Sequence, residues 1–254
     1  MVTVKEKERI DDLQLHGLKL IQNTEKFCFG VDAVLLSDFV DVRRENKVLD
    51  IGTGTGIIPI LLAGKTKAAK LVGLEIQEEM AEMAGRSVLL NNLSDRLEII
   101  YGDVRKYSEY FGKSSFDVVV SNPPYTNKGC GLVNPRDSKA ISRHELLCSL
   151  EDVVSAAAAL LVPGGQLAMV HRPERLADII CSMRNNGIEP KYLRLVHPKP
   201  GKKPNMLLIK GNRGGNPELK VLEPLYVYNS DGTYSAEINK IYGREEETQI
   251  ERKG

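Results

Sequence analysis

Two short stretches of the chain combine residue types and spacings that can do chemistry. The first, "DIGTGTGI", places Gly52, Gly54 and Gly56 at alternate positions after Asp50, with Thr53 between the first two, and runs from an apolar stretch into a helical one. A glycine-rich passage from strand to helix lets a ligand approach bare backbone, and the helix N-terminus adds unpaired N–H groups and positive potential. A nucleoside-like ligand suits that combination. Two carboxylates follow, Glu75 before Ile76 at the end of a second apolar run, and Asp103 before Val104 in the "YGDV" that follows a third. One can accept both hydroxyls of a ribose, and the other the amino group of an adenine. The dinucleotide fingerprint G-x-G-x-x-G is incomplete, because Ile57 stands where its third glycine would fall. Taken singly, the turn could be structural punctuation and the carboxylates solvated strand ends. Together they fall after successive strands on one sheet edge, where open α/β sheets bind ligands.

The second stretch is "SNPPY", Ser121 to Tyr125, directly after "FDVVV". Adjacent prolines have no backbone N–H and a fixed φ, so Pro123 and Pro124 must end the buried strand. They leave a rigid corner rich in acceptors, with the Asn122 amide before it and the Tyr125 ring after it.

Seven β-rich apolar runs supply the strand ends that carry these residues: 47–51, 71–75, 97–100, 116–120, 166–171, 192–196 and 206–210. They alternate with segments of helical period, the pattern of a wound α/β sheet with parallel strands. The segment 56–66 reads as a helix apolar on nearly all sides, with Pro59 in its first turn. In 77–92 the spacing of Met80, Met83, Ala84, Ser87 and Val88 predicts one face packed on the sheet. An Ala-rich helix within 142–165 is expected to stop at Pro163. Residues 1–46 precede the first expected strand and hold a short amphipathic helix around Val34 to Phe39. Residues 222–254 read as a tail that begins with an Asp-Gly hairpin and frays over its last dozen residues.

The formal charge of +1 excludes a global polyelectrolyte argument, so local charge must be weighed. Cys28, Cys130, Cys148 and Cys181 form no C-x-x-C pair, which points to reduced thiols and no metal site. A charged N-terminus and the lack of a long apolar run point to a cytoplasmic protein without a membrane segment.

The motif set resembles that of the Rossmann-fold S-adenosylmethionine-dependent methyltransferases over roughly residues 40–210. "VLDIGTGTG" matches their first motif, Glu75 their ribose-binding acid and "GDV" their adenine-binding segment. The resemblance implies a Rossmann-like seven-stranded methyltransferase sheet, mostly parallel with an antiparallel seventh strand, and helices on both faces. It also implies S-adenosyl-L-methionine as cofactor, bound by Asp50, Gly52, Thr53, Gly54, Gly56, Glu75, Ile76, Asp103, Val104 and Asn122. "NPPY" matches the corner with which members that modify planar nitrogens end their fourth strand, making Asn122, Pro123, Pro124 and Tyr125 the expected catalytic group. The chemistry agrees: an adenine amino nitrogen is a poor nucleophile because its lone pair is delocalised. A site must hold its protons on acceptors, here the Asn122 side chain and the Pro123 carbonyl, while Tyr125 stacks the base.

That corner occurs with adenine, guanine and protein glutamine acceptors alike, so the flanks must decide. Residues 191–217 hold Lys191, Arg194, Lys199, Lys202, Lys203, Lys210 and Arg213 with no acidic residue. With a parallel sixth strand, the loop bearing Lys199, Lys202 and Lys203 emerges on the same edge as "NPPY", and a phosphate backbone is its natural partner. A solvated basic loop is the plain alternative. Arg136 and Arg143 lie beyond the corner, where they could clamp a substrate; His144 and His171 are candidates for acid–base work, though isolated histidines are usually structural. Over about residues 5–245 the chain is similar to the bacterial tRNA1(Val) adenine-37 N6-methyltransferase family, which implies tRNA as partner, N6-methylation as activity, and Phe29 and Asp32 as walls beside the cofactor. A release-factor glutamine methyltransferase, a guanine-N2 rRNA methyltransferase and a non-catalytic RNA-binding module are the rivals. The expected organisation is one methyltransferase domain over 1–254, with a 1–46 extension, a 47–210 core and a 222–254 tail, acting as a monomer or weak dimer.

Overall fold

The computed structural model describes residues 2–25, 28–123 and 148–244. The seven expected strands are β3 (Lys47–Ile51), β4 (Lys70–Glu75), β5 (Leu97–Tyr101), β6 (Phe116–Ser121), β7 (Leu161–His171), β8 (Ile188–His197) and β9 (Met206–Arg213). They lie side by side in the order β5, β4, β3, β6, β7, β9, β8. All are parallel except β9, which runs antiparallel between β7 and β8. Two two-residue strands, β10 (Lys220–Val221) and β11 (Leu225–Tyr226), pair with β8 and extend the sheet to nine.

Helices cover both faces. On one face lie α1 (Val31–Phe39) and α2 (Ile57–Lys65), sharing a core with Val48, Leu71, Val118, Val170 and Leu208. The other face packs α4 (Leu150–Leu160) and α5 (Leu176–Asn185) over Leu49, Val72, Val119, Leu167 and Ile209. Alternate strand residues supply the two cores, as the period of a strand buried on both sides requires. No helix among the described residues is long and apolar enough to cross a membrane.

Four expectations need correction. A hairpin of β1 (Glu8–Asp12) and β2 (Lys19–Asn23) precedes the sheet, where no strand is expected. Its loop brings Leu13 and Leu18 onto the core over α2, so the outer side of that all-apolar helix is also covered. Helix α1 is buried around its whole circumference from Asp32 to Ser37, not amphipathic, because α2 and the short C-terminal helix α6 (Ala236–Ile241) pack against it beside the sheet. In α3 (Glu78–Leu90) the expected face is buried, but Met80 and Met83 meet Ile21 of the hairpin in a small cluster of their own. Finally, α4 stops at Leu160, and β7 starts at once and carries Pro163 itself. Its pairing with β6 is irregular there, jumping from Phe116 opposite Leu161 to Val118 opposite Gln166, so no ladder bond is asked of the proline.

The hairpin docks on α3 through charge as well as packing. The Arg86 guanidinium donates to both carboxylate oxygens of Glu8 at 2.6 and 2.7 Å, with side chains only 12% and 3% exposed. That contact holds the Glu8 carboxyl below the ordinary range. The Ile21 N–H also donates to the Ser87 hydroxyl at 3.0 Å.

Candidate active site

The C-terminal edge of the parallel strands gathers the residues that the sequence singles out. After β3 the chain turns through Gly52, Gly54 and Gly56, all with positive φ of 75°, 57° and 82°. Those values strain any residue with a Cβ. Gly56 has a second reason: a Cβ there would sit 3.2 Å from that of Ala84, so the turn also sets how closely α2 approaches α3. The turn is tied to the neighbouring strand, with Gly52 and Thr53 donating to the Leu74 carbonyl at 2.9 and 3.1 Å.

Glu75, ending β4, is 4% exposed and braces this turn. One carboxylate oxygen accepts the Gly54 N–H at 2.8 Å, and the other the Gln77 N–H at 2.9 Å. Two backbone donors on two different oxygens fix its plane, and each carboxylate oxygen has lone-pair capacity beyond one bond. Asp50 lies one strand over, buried, with neither oxygen hydrogen-bonded among the described residues; the Thr53 hydroxyl is likewise unpartnered there. Burial pushes the Asp50 carboxyl up to about 7, and the Glu75 charge adds to the rise.

The sign of that shift makes a prediction. Between about pH 4, where an unfolded aspartate ionises, and about pH 7, the folded chain binds the proton more tightly, so stability declines as pH rises and levels off above the folded pKa. Asp50→Asn keeps the shape and removes the titration. Thermal melts from pH 4 to 8.5 should show the variant gaining on the parent as pH rises, by several degrees at pH 8. Equal gaps at every pH would contradict the burial argument.

Beyond β6, Ser121 donates its hydroxyl to the Ile51 carbonyl at 2.8 Å, locking the strand end to β3. Asn122 follows, and its Nδ2 donates to the Asp32 carboxylate at 3.0 Å. The second Asp32 oxygen accepts the Ala33 N–H at 2.9 Å. A carboxylate only accepts, so Nδ2 must be the atom facing Asp32, and Oδ1 is the acceptor carried on the other side of the amide. Asp32 thus sets the orientation of the Asn122 side chain. The hairpin reaches the same place: Gln22, 1% exposed, accepts the Phe29 N–H at 2.9 Å and donates to Asp11, anchoring the start of the segment that carries Asp32.

A family model described as the methyltransferase small domain matches residues 29–180. The chain belongs to that family. It is a methyltransferase, and it is similar to the tRNA1(Val) (adenine(37)-N6)-methyltransferase of Bacteroides fragilis, at 32% identity over 71% of this chain and 75% of the relative. Among solved structures it resembles a predicted O-methyltransferase from Agrobacterium tumefaciens, with a TM-score of 0.67 and 26% identity over 84% of this chain and 96% of the other. TYW2 of P. horikoshii, solved in complex with MeSAdo, shares the fold at a TM-score of 0.58 and 13% identity, over 83% of this chain and 73% of that one.

The methyltransferase match starts at Phe29, so the segment holding Asp32 lies within it and the hairpin before it does not. Of the sequence-derived candidates, Asp50, Gly52, Thr53, Gly54, Gly56, Glu75, Ile76, Asp103, Val104, Asn122 and Pro123 all fall on or just beyond the edge of β3, β4, β5 and β6. Asp103 is at the expected place, but its carboxylate caps the 3-10 turn of 104–109 and takes the Arg105 side chain at 3.0 Å, which lowers its pKa. Pro124, Tyr125, Arg136, Arg143 and His144 lie outside the described residues, as does the stretch 245–254. His171, buried at the end of β7, accepts the Arg172 N–H on Nδ1; burial, with Arg175 and Arg172 nearby, drives its pKa down to about 4. It is neutral at pH 7, which leaves it a poor proton carrier there. The sequence reading missed the Asp32–Asn122 bond and the anchoring by Gln22. A lone Asp in the first turn of a helix signals only a favourable dipole contact, and Gln22 sits in a strand with no alternation to announce it.

Proposed function

We propose that the protein transfers a methyl group from S-adenosylmethionine to the exocyclic amine of an adenine in tRNA, at position 37 of a valine tRNA. The observation that carries this reading is the Asn122 amide, whose Nδ2 is held by Asp32 at the end of β6, next to Pro123 and one strand from the glycine turn. The name of the Bacteroides fragilis relative supports the choice of acceptor.

The cofactor fits residues already described. The buried Asp50 oxygens and Thr53 hydroxyl lack partners among the described residues, and a Cβ on Gly52 would meet nothing within 4 Å, so the turn faces open space. Glu75 would accept the ribose hydroxyls. Asp103 would accept the adenine amine once Arg105 shares or yields its carboxylate. When bound, S-adenosylmethionine supplies an electrophilic methyl group. The chain's part is positioning: the Asn122 Oδ1 and the Pro123 carbonyl accept the two amine hydrogens of the target adenine, aligning its nitrogen lone pair. No group need be ionised beforehand, since the amine can lose its proton to water after transfer.

The deciding experiment supplies labelled S-adenosylmethionine with tRNA lacking the modification and a release factor together, and locates the label by mass spectrometry. N6-methyladenosine is the expected product. Label confined to a release factor, or appearing as methylguanosine, refutes the adenine assignment.

A further inference from the structure

We infer that the groove at the β8–β9 loop, together with the tyrosine ladder behind it, is a landing surface for a single-stranded stretch of RNA flanking the target base; this rests on the RNA reading above. The groove, about 690 Å³, is lined by Pro198, Lys199, Lys202, Lys203, Tyr228 and Gly232.

The basic residues of 191–217 divide into two sets. Arg194 holds Glu237 at 2.6 Å, Lys210 holds Asp41 at 2.7 Å, Lys191 donates to the Asn216 carbonyl, and Arg213 donates to Ser114 and the Leu161 carbonyl. These four serve the fold. Lys199, Lys202 and Lys203 are exposed, and among the described residues none has a carboxylate within ion-pair range. Three unneutralised ammonium groups around one groove call for an anion with several charges.

The loop is also built, not loose. Its turn closes with Lys202 N–H on the Lys199 carbonyl, the His197 ring meets the Lys202 carbonyl at 2.7 Å, and the Tyr228 N–H donates to the Pro198 carbonyl at 2.8 Å. That last bond joins it to the hairpin in which Tyr228 pairs with Tyr234 across Asp231 and Gly232. The two rings stack at 5.0 Å, Tyr234 continues to Tyr242 at 6.3 Å, and Arg244 lies over both inner rings. Tyr228 and Tyr234 are 37% and 38% exposed. Tyr228 therefore ends a pre-stacked column in the groove wall, beside the lysines. A flat base adds to such a column whatever its identity, and a phosphate backbone satisfies the lysines.

Position favours this occupant over an unrelated acidic partner. The groove opens from the C-terminal end of β8, which is parallel to β6 and three strands away. Three strand spacings are about 14 Å, the span of about four stacked nucleotides. The inner end of the column lies toward the site: Tyr242 and Arg244 line a cavity with Phe29 and Val34, on either side of Asp32 in the chain, which holds Asn122. Tyr228, Tyr234 and the three lysines would then hold nucleotides a few positions from the reacting adenine.

The test measures fluorescence anisotropy of a labelled single-stranded RNA of about 12 nucleotides, of the same RNA annealed to its complement, and of a polyglutamate peptide, against the full chain across a salt series. Single-strand binding is expected to lead. The triple variant Lys199→Ala/Lys202→Ala/Lys203→Ala should flatten the slope of log K against log salt by about 2, at about 0.7 per phosphate. Tyr228→Ala should weaken binding about 5- to 100-fold with the slope unchanged, and Tyr228→Phe should restore it. Melting curves matching the parent show that each variant is folded. Unchanged single-strand binding in both variants, or equal loss for duplex or polyglutamate, overturns the inference. Tested with tRNA, a parent that methylates while both variants keep its KM leaves the proposed function standing without this surface. Variants that lose RNA binding in a parent that transfers no methyl group to RNA leave this surface standing without the proposed function.

Discussion

Replacing Asn122 with alanine is expected to lower kcat about 10²- to 10³-fold while leaving cofactor affinity within about twofold, because one preorganised hydrogen-bond partner for the reacting group is lost. The family resemblance also counts Asn122 among the cofactor contacts; here it is assigned to the acceptor side of the proposed site, its amide nitrogen held by Asp32 and not by the glycine turn. Asp32 gives the sharper test of the same geometry. Asp32→Asn places one amide oxygen before two donors, Ala33 N–H and Asn122 Nδ2. If the new oxygen takes the backbone N–H, its NH₂ faces Asn122 and turns that amide over, presenting a donor to an amine that needs an acceptor. About a tenfold or greater fall in kcat is expected, with cofactor binding intact. Single-turnover rates with saturating tRNA read the step directly: a wild-type rate in Asn122→Ala would remove Asn122 from the reaction, and one in Asp32→Asn would remove Asp32 as the residue that orients it.

Removing the Glu75 carboxylate should act on the other half of the site. Glu75→Ala strips the acceptors from two backbone N–H groups, Gly54 and Gln77, and from the proposed ribose contacts. Hydrogen bonds to a charged group contribute about 1.5–3 kcal/mol each, so losing the two proposed ribose contacts predicts a cofactor Kd raised at least about 10²-fold. Glutamine is no remedy. Its single carbonyl oxygen cannot face both donors, so Glu75→Gln should lose most of the same affinity. Calorimetric titration with S-adenosylhomocysteine separates the outcomes: Asn122→Ala binds normally and both Glu75 variants do not. Normal binding by Glu75→Gln would mean that the carboxylate's charge and double acceptance are unimportant.

The parts of this arrangement legible in the sequence are those written in local chemistry. Paired prolines must end a strand, glycines at alternate positions must turn one, and seven apolar runs with helical spacers imply a wound sheet; β3 to β9 appear in that order, with β9 reversed as the family resemblance implies. Tertiary devices were not legible. Strand β1, "ERIDD", buries little, and its hairpin is held by Arg86 and Ser87, some 66 to 78 residues away, so no local pattern declares it. Helix α1 reads as amphipathic because Ser37 and Asp38 suggest a wet side, yet the Ser37 hydroxyl bonds back to the Val34 carbonyl and is buried. Strands β10 and β11 are too short to show any period. At the site, residue identities were readable and orientations were not: nothing in "FGVDA" states that Asp32 faces Asn122.

The placement of β9 has a consequence for the order in which the chain is assembled. Because β9 lies between β7 and β8, the earlier-synthesised β8 has no neighbour in the main sheet until β9 has emerged and inserted beside β7. The Asp32–Asn122 bond likewise waits for a partner 90 residues downstream. Closing such distant pairs costs entropy before it is rewarded, which makes them late events. A nascent chain halted before residue 206 can therefore complete the strands behind the glycine turn while β8 and its lysine loop are still undocked, so the proposed nucleoside site should form on the ribosome before the proposed RNA surface.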